Sequence, residues 1–262
     1  MPHSKALALL KLIEERPGKC GIVYCSTRRT VEEVDALLND KGIPSTRYHA
    51  GLPEEERRQN QDDFVYDRKP IMVATNAFGM GIDKSNVSFV IHYNMPKNLE
   101  SYYQEAGRAG RDGSPAECIL LYSPQDVRTN RYLIENSDPN PDLDFETQEK
   151  LIQREYDRLR KMTYYCTTAD CLRAFILKYF GEPAEEYCGN CSSCAGGSVL
   201  VEATVEAQQV LSCVARTGQR LGISMICDIL RGSENERVLQ MNLQTQSTYA
   251  RLSLIHISEP TR

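Results

Sequence analysis

The chain has 262 residues, of which 41% are hydrophobic and 26% charged, with ten cysteines and a net charge of −5. This is enough for one large domain or two smaller ones of ordinary soluble composition, and no apolar run is long enough for a transmembrane helix. The acidic balance excludes a uniformly basic surface, so any contact with a polyanion must come from a local patch.

Short apolar strands alternate with helices through the first half of the chain. Helices are predicted at 5–16, 28–40, 53–65 and 100–109, and strands at 19–25, 45–49, 70–75, 87–93 and 117–122. Strands that alternate with helices form a parallel sheet covered on both faces. The sequence therefore predicts an α/β lobe that ends near residue 135.

The second half of the chain has a helical pattern. An acidic, proline-containing segment at 137–144 predicts a linker, and helices are predicted at 146–165, 169–180, 204–217 and 223–231. AGGS at 195–198 predicts a flexible break. We therefore expect a small helical domain over 146–197, followed by a possible helix-turn-helix.

Four cysteines follow the pattern Cys171-x16-Cys188-x2-Cys191-x2-Cys194. Short x2 steps let successive thiolates turn back onto one tetrahedral zinc ion. Buried or disulfide-bonded cysteines are the alternative, but no signal peptide is evident and a reducing compartment is expected. Four thiolates leave zinc no open position, so the predicted site is structural. The other six cysteines are predicted to be core thiols.

A glycine-rich segment, YYQEAGRAGRDG at 102–113, carries two arginines. The planar forks of Arg108 and Arg111 match phosphate oxygens, and an arginine at a γ-phosphate stabilises the transferring phosphoryl group. Gln104 is a candidate to position the water or hold the nucleotide. The alternative is a surface turn in which Arg111 pairs with Asp112.

ATNAFGMGID at 74–83 follows a predicted strand. Thr75 stands at the carboxyl end of that strand, where α/β sheets bind ligands, and Gly79 and Gly81 allow the backbone to approach a ligand. Asp83 is a candidate partner for a ribose or an arginine. A plain glycine turn is the alternative.

Two further polar residues, Arg28 and His49, stand at predicted strand ends, where a structural role and a DNA contact are equally plausible. No phosphate-binding GxxxxGK[ST] loop is present: Gly18 and Lys19 lack the upstream glycine and precede Cys20. No acidic DExx run ends a buried strand. The sequence thus predicts a catalytic arginine without a nucleotide pocket of its own.

The series GIVYCSTR, YHAG, VATNAFGMGIDK, ESYYQEAGRAGRDG and C-x16-C-GNC-SSC resembles the RecQ family of superfamily 2 DNA helicases over about residues 5–250. The resemblance implies a second RecA-like lobe at 1–135, a zinc-binding subdomain at 146–197 and the start of a winged helix at 200–253.

Individual positions of the family's motifs also match. Arg111 matches the arginine finger; Arg108 and Gln104 match other positions at the inter-lobe ATP site. Matches in motifs IV and V imply DNA or nucleotide contacts by Ser26, Arg28, Thr75, Gly79, Gly81 and Asp83. The four cysteines at 171, 188, 191 and 194 match the zinc ligands.

The resemblance implies an ATP-dependent 3′–5′ helicase of recombination and repair, bacterial and nucleoid-associated in the cytoplasm. It would act on single-stranded DNA and duplex junctions with structural Zn²⁺ and ATP–Mg²⁺. The family's first lobe has no counterpart in the sequence, and residues 254–262 resemble translated adapter sequence, so we expect a fragment of a larger polypeptide. The alternative is a stand-alone zinc-containing DNA-binding module without ATPase activity.

Overall fold

A five-stranded parallel sheet forms the centre of the first compact unit, Met1–Gly197. The computed structural model describes residues 2–78, 84–137, 141, 143–196 and 202–252. The sheet has the order β2-β3-β1-β4-β5 and consists of β1 (Gly21–Tyr24), β2 (Ser45–Tyr48), β3 (Ile71–Ala74), β4 (Phe89–His92) and β5 (Glu117–Leu120). The predicted parallel α/β lobe is confirmed.

Helices cover both faces of this sheet. On one face, α1 (Pro2–Glu14) and α2 (Arg28–Asp40) pack in a core with β1, β3 and β4 that includes Leu9, Val31, Leu38, Val23 and Ile91. On the other, α3 (Glu54–Val65) contributes the buried Phe64 to a core with Tyr24, Met72, Phe78 and Val90. Both faces are apolar at the centre of the sheet, where β1, β3 and β4 are buried along their whole length, as is usual for parallel strands covered by helices on both sides.

Helix α4 (Leu99–Ala106) is followed by two long helices that pack with it, α5 (Pro124–Glu135) and α6 (Phe145–Thr167). Their shared core includes Leu99, Tyr102, Ile134, Leu159 and Met162, and partly buried residues of α7 (Leu172–Tyr179) border it. A short helix, α8 (Ser192–Ala195), follows the cysteine-rich turn. The predicted helices at 146–165 and 169–180 correspond to α6 and α7.

Helix α5 is absent from the sequence-based expectations, although its start carries a strong local signal. The Ser123 hydroxyl accepts from the Gln125 amide, the Asp126 carboxylate accepts from the Ser123 amide at 3.1 Å, and Pro124 occupies the first turn. This reciprocal arrangement is a capping box, which satisfies amides that the helix itself leaves unpaired. The Ser-Pro-x-Asp segment is therefore a local signal from which this helix start could have been predicted.

The second compact unit, Ser198–Arg262, contains α9 (Thr204–Arg216), α10 (Ile223–Arg231), α11 (Glu236–Gln240) and a 3₁₀ turn at Leu243–Thr245. Its described core includes Cys213, Ile226, Ile229, Leu230 and Val238. The predicted helices at 204–217 and 223–231 match α9 and α10. The predicted non-native tail at 254–262 lies outside the described residues.

Two of the six cysteines predicted to be core thiols are exposed, and a third, Cys166, is partly buried. Cys118 on β5 and Cys227 on α10 are exposed, whereas Cys20, Cys25 and Cys213 are buried. Cys118 is exposed because β5 is an edge strand with a largely open burial pattern. Those two predictions were wrong, since a cysteine's burial depends on its place in the sheet or on the helix face.

Candidate arginine turn and metal centre

The arginines at 108 and 111 lie in a turn at 107–113, the arginine turn, which follows α4. Helix α4 is capped by Asn98, whose side chain accepts from the Ser101 amide at 2.9 Å, and ends at Ala106, three residues before the predicted end at 109. The turn then returns to the sheet, where the Gly110 amide donates to Val87 O at 2.9 Å. The arginines are therefore held outside helical geometry, beside the segment that leads into β4.

Backbone conformation at Gly110 fixes the shape of the arginine turn. Its φ is +67°, and a Cβ there would lie 2.9 Å from the Ser114 carbonyl oxygen. The Asp112 carboxylate accepts from the Ser114 amide at 2.9 Å, and the Asp112 amide donates to Ser85 O at 3.3 Å. Only glycine fits this conformation without strain, so the Gly-Arg-x-Gly-Arg spacing has a structural basis.

The predicted catalytic side chains differ in exposure. Arg111 and Gln104 are exposed, and Arg111 Nε donates to Gly107 O at 3.4 Å, whereas Arg108 is half-buried. An exposed guanidinium on a fixed backbone suits contact with a phosphate that arrives from outside this unit. The Arg108 Nε atom is buried, and the neighbouring Ala109 packs against the core that contains Tyr24.

A buried polar cluster that the sequence did not reveal lies under this turn. His92, at the end of β4, is fully buried, and its Nε2 lies 2.8 Å from Glu105 Oε2 on α4. The His92 ring stacks on Tyr24 at 5.5 Å and contacts Tyr102 at 4.9 Å. Tyr24 and His92 are partners on neighbouring strands, so the cluster depends on sheet pairing, which no local motif reports.

The four predicted nucleic-acid contacts lie near the carboxyl ends of the strands. Ser26 is exposed after β1, and its amide donates to Asn94 Oδ1 at 3.1 Å. Thr75 follows β3, the neighbour of β1, and its amide donates to Tyr48 O at 3.1 Å. Both residues therefore occupy the same edge of the sheet, although the Thr75 residue is buried.

Arg28 and His49 meet at Gly51. A Cβ at Gly51 would lie 3.1 Å from two Arg28 atoms and 3.2 Å from His49 Nδ1. His49 is buried; its Nδ1 accepts from the Gly51 amide at 3.1 Å, and its Nε2 lies 2.7 Å from Glu32 Oε1. The His49 ring thus holds the loop beside the exposed Arg28, and its predicted DNA contact stays a prediction.

A cavity of about 490 Å³ opens beside Ser26 within the first unit. Polar side chains from the strand ends line one wall, among them Asn76, Asn94 and Lys97, and apolar side chains of α5 and α6 line the other, among them Leu133 and Ile152. The predicted nucleotide contacts Gly79, Gly81 and Asp83 lie outside the described residues.

The four predicted metal ligands come together. The sulfur atoms of the cysteine cluster, Cys171, Cys188, Cys191 and Cys194, all lie within 4.8 Å of one another, and those of Cys171 and Cys191 are 4.0 Å apart. Tetrahedral zinc ligands with Zn–S bonds of about 2.3 Å lie about 3.8 Å apart. The donor set and spacing fit zinc after small movements.

Local backbone geometry brings the four cysteines of the cluster together. Gly189 has φ +67°, which lets the chain reverse between Cys188 and Cys191. The Cys191 amide donates to Cys188 Sγ at 3.3 Å, and Cys171 caps α7 by accepting from the Ala174 amide at 3.5 Å. One ligand is therefore fixed by a helix terminus and three by a tight turn.

Thiol acidity in the cluster is uneven. Burial acts to raise the pKa of Cys191, but hydrogen bonds from the Cys194 and Leu172 backbone outweigh it and lower that pKa to about 6. Backbone hydrogen bonding at Cys188 acts to lower the pKa of Cys194, yet burial and the side-chain hydrogen bond with Cys191 raise that pKa to about 11. Zinc binding to the cluster therefore requires Cys194 to lose its proton, since a zinc ligand is a thiolate.

Helix α4 joins the two candidate sites. The Tyr179 hydroxyl of α7 donates to Glu100 Oε1 at 2.9 Å, and the Phe180 ring contacts Tyr103 at 5.1 Å. The Tyr165 hydroxyl of α6 donates to the Tyr102 hydroxyl at 3.3 Å. The helix that leads into the arginine turn is thus packed directly against the helices that frame the cysteine cluster.

Three family models match the chain in succession. The helicase conserved C-terminal domain matches residues 4–113, the RecQ zinc-binding model matches 124–195, and the RQC domain matches 198–259. The zinc-binding model begins at the start of α5 and includes all four cysteines. Together with the sulfur geometry, it indicates structural zinc.

Curated relatives match along most of the chain. The ATP-dependent DNA helicase RecQ of Bacillus subtilis is 43% identical over 94% of this chain and 40% of the relative. The RecQ of Haemophilus influenzae is 37% identical over 92% of this chain and 38% of the relative. The ATP-dependent DNA helicase hus2/rqh1 of Schizosaccharomyces pombe is 39% identical over 84% of this chain and 16% of the relative.

The chain therefore spans about two fifths of the length of the bacterial relatives that it matches. Among the described residues, no helix combines the length and apolar character that crossing a membrane requires.

Proposed function

The chain belongs to the RecQ family, and we propose that it supplies the second RecA-like lobe, the zinc-binding subdomain and the start of a winged helix of an ATP-dependent 3′–5′ DNA helicase. The arginine turn carries this proposal. It fixes one exposed and one inward-facing arginine on a parallel sheet, beside strand ends that present polar groups. Zinc in the cysteine cluster has a structural role, because four thiolates fill its coordination sphere.

On the nucleotide side, Arg111 would contact the γ-phosphate of ATP bound with Mg²⁺. Charge accumulates on the phosphoryl oxygens during transfer, and a fixed guanidinium stabilises it without reorganisation. Arg108 would hold the neighbouring phosphate oxygens, and the exposed Gln104 would orient the water or the nucleotide. Gly79, Gly81 and Asp83 would complete this side of the site.

The phosphate-binding loop would come from a first RecA-like lobe of the same polypeptide. The sequence contains no GxxxxGK[ST] motif, and the matched relatives are more than twice as long as the match. Closure of two lobes around ATP would bring Arg111 to the nucleotide, and opening after hydrolysis would move the DNA strand.

On the DNA side, Ser26, Arg28 and Thr75 would contact the phosphate backbone of the translocated strand. Exposed amide, hydroxyl and guanidinium groups at strand ends bind phosphates without reading sequence. His49 would act with them by holding the Arg28 loop. Single strands and duplex junctions are the proposed substrates, in recombination and repair at the bacterial nucleoid.

The experiment is made in a complete helicase in which this chain replaces the matching region of the Bacillus subtilis relative. We expect Arg111→Ala to lower the rate of ATP turnover about 10³-fold or more, with the Kd for single-stranded DNA changed less than about threefold. Arg160→Ala, at an exposed arginine of α6, is the matched control and should leave turnover unchanged.

Unchanged turnover in Arg111→Ala contradicts the proposal, and so does ATP hydrolysis by this chain alone. The alternative of a stand-alone DNA-binding module is not favoured, since the helicase C-terminal model covers residues 4–113.

A further inference from the structure

Ser26, the proposed DNA contact after β1, is bound by a side chain from the neighbouring strand end. Its amide donates to Asn94 Oδ1 at 3.1 Å, across 68 positions of sequence. Both residues lie two positions past Tyr24 and His92, which are partners in the sheet. Because the amide is bound to Asn94, the exposed hydroxyl of Ser26 is the group left for DNA.

Only one orientation of the Asn94 side chain can bind the Ser26 amide. A primary amide has one acceptor oxygen and one donor nitrogen. With the oxygen toward Ser26, an N–H···O hydrogen bond forms, whereas with the nitrogen there two donors would face each other. The position of the residue 26 loop therefore depends on which way the Asn94 amide is turned.

Asp126, in the first turn of α5, determines this orientation. Asn94 Nδ2 donates to Asp126 Oδ1 at 3.1 Å. An ionised carboxylate can only accept hydrogen bonds, so the Asn94 nitrogen faces Asp126 and its oxygen faces Ser26. Asp126 is 6% exposed, and in such a buried place a donor that faces another donor costs free energy.

The Asp126 carboxylate is itself held by Lys5 of α1. Lys5 Nζ lies 2.6 Å from Asp126 Oδ2 and also donates to Tyr93 O at 3.0 Å. The Ser123 amide donates to the same Oδ2 at 3.1 Å. A buried carboxylate is tolerated when it is paired and hydrogen-bonded. The pair therefore fixes both the Asn94 side chain and the backbone of the residue before it.

From this network we propose that Asn94 is a positioning residue for the DNA contact at Ser26, and that the Lys5–Asp126 pair sets its orientation. The inference rests on the proposed function, because it assumes that Ser26 contacts the DNA backbone. It goes further in connecting that contact to α5, the helix at which the match to the RecQ zinc-binding model begins. The DNA-contacting loop is thus held from the zinc-binding part of the chain as well as from the sheet.

The test is Asn94→Leu in the complete helicase carrying this chain. Leucine is close to asparagine in size but has neither the acceptor nor the donor. We expect the concentration of single-stranded DNA that gives half-maximal ATP turnover to rise about fivefold, the size expected for one hydrogen bond. The kcat at saturating DNA should change less than about twofold, because Arg111 is not moved. A merely structural role would lower kcat by reducing the folded fraction and leave the half-maximal DNA concentration unchanged, and that result overturns the inference.

Asp126→Asn tests the orientation of the amide. An asparagine at 126 has a donor group that must face Asn94 or Lys5, so the Asn94 amide is no longer fixed. The half-maximal DNA concentration should rise about threefold, and it should not rise further in an Asn94→Leu background, because the residue through which Asp126 acts is gone. Ser123→Ala weakens the same helix start but keeps the carboxylate, and should leave that concentration unchanged. An equal rise in Ser123→Ala overturns the inference.

Asn60→Leu is the matched control, at a half-buried asparagine of α3 whose Nδ2 donates to Arg47 O at 2.9 Å. It should leave the half-maximal DNA concentration within about twofold. If Ser26→Ala raises that concentration and Asn94→Leu does not, the inference fails and the proposed DNA contact stands. If neither variant raises it, the proposed DNA contact fails as well.

A second measurement uses this chain by itself and needs neither DNA nor ATP. Hydrogen exchange of the Ser26 amide, followed by NMR, reports how well its bond to Asn94 is formed. Asn94→Leu should accelerate this exchange about tenfold, Asp126→Asn by a smaller factor, and Asn60→Leu not at all. Unchanged Ser26 exchange in Asn94→Leu overturns the inference even if the helicase is inactive for other reasons.

Discussion

The arginine turn and the cysteine cluster are both short glycine-containing turns, yet different forces hold them. The arginine turn is fixed by backbone bonds to the segment before β4, by Gly110 and by the buried His92–Glu105 pair beneath it. The cysteine cluster is held only by a helix terminus and a few N–H···S hydrogen bonds, and three of its four cysteines are partly exposed. One is preorganised by the sheet, and the other is completed by a metal.

This difference has a functional meaning. A group that stabilises a transition state must be in place before the reaction. A rigid sheet holds the group there, so no free energy is needed to reorganise it during the reaction. A structural metal instead replaces a hydrophobic core in a small subdomain. Helix α4 contacts both regions, through Glu105 on one side and through Glu100 and Tyr103 on the other.

The largest effect is expected for Cys191→Ser, which removes one thiolate from the cysteine cluster. We expect stoichiometric zinc to be lost, because one of its four ligands is removed. The small subdomain should then unfold, because structural zinc contributes about 10 kcal/mol or more of folding free energy. Hydrogen exchange should show α7 losing protection while β1, β3 and β4 keep theirs. Cys227→Ser, at an exposed cysteine outside the cluster, should retain zinc. Stoichiometric zinc in Cys191→Ser would refute the ligand assignment.

Zinc affinity should also depend on pH. The ligands bind as thiolates, and metal-free Cys194 has a pKa of about 11 while that of Cys191 is about 6. Zinc binding therefore releases at least one proton between these values, and affinity falls at least tenfold for each unit by which pH drops. Below about pH 6 Cys191 is also protonated, and the fall becomes steeper. A pH-independent Kd, measured by competition with a chelator, contradicts this cluster chemistry.

The stability of the region around the arginine turn should depend on the buried His92–Glu105 pair and not on zinc. Glu105→Ala leaves the fully buried His92 without its carboxylate partner, which should cost about 2 kcal/mol of the free energy of unfolding. Glu105→Gln keeps an acceptor and should cost about half as much. Denaturant unfolding of the zinc-loaded chain measures both. Equal stability of Glu105→Ala and the unsubstituted chain would show that the pair does not hold α4.

The cysteine cluster and the sheet were predictable because their signals are local. The x2 spacing specifies a metal turn, and short apolar segments between helices specify parallel strands, so both are found near the predicted positions. The environment of the arginines was not predictable. His92 and Tyr24 come together through strand pairing, and Glu105 reaches His92 from α4. Nothing in a single sequence reports which strands and helices are neighbours.

Helix α5 is a different omission, because its signal was local and available. Ser123, Pro124 and Asp126 form a capped start, but the predicted lobe ends near residue 135 without a helix after its last strand. In the structure α5 packs on α6 and shares the core with α4. The helix therefore connects the lobe to the zinc-binding part.

The smallest expected effect tests that connection. Ser123→Ala removes the hydroxyl that caps α5 and should lower the free energy of unfolding by about 1 kcal/mol, with zinc content unchanged. Ser137→Ala, which removes a hydroxyl bonded to Ile134 O at the other end of α5, is the matched control and should cost less than about 0.5 kcal/mol. Helix α5 connects the lobe to the zinc-binding part, so a loss of zinc in Ser123→Ala would mean that the cap supports the metal site as well. The arginine turn and the cysteine cluster would then not be stabilised independently of each other.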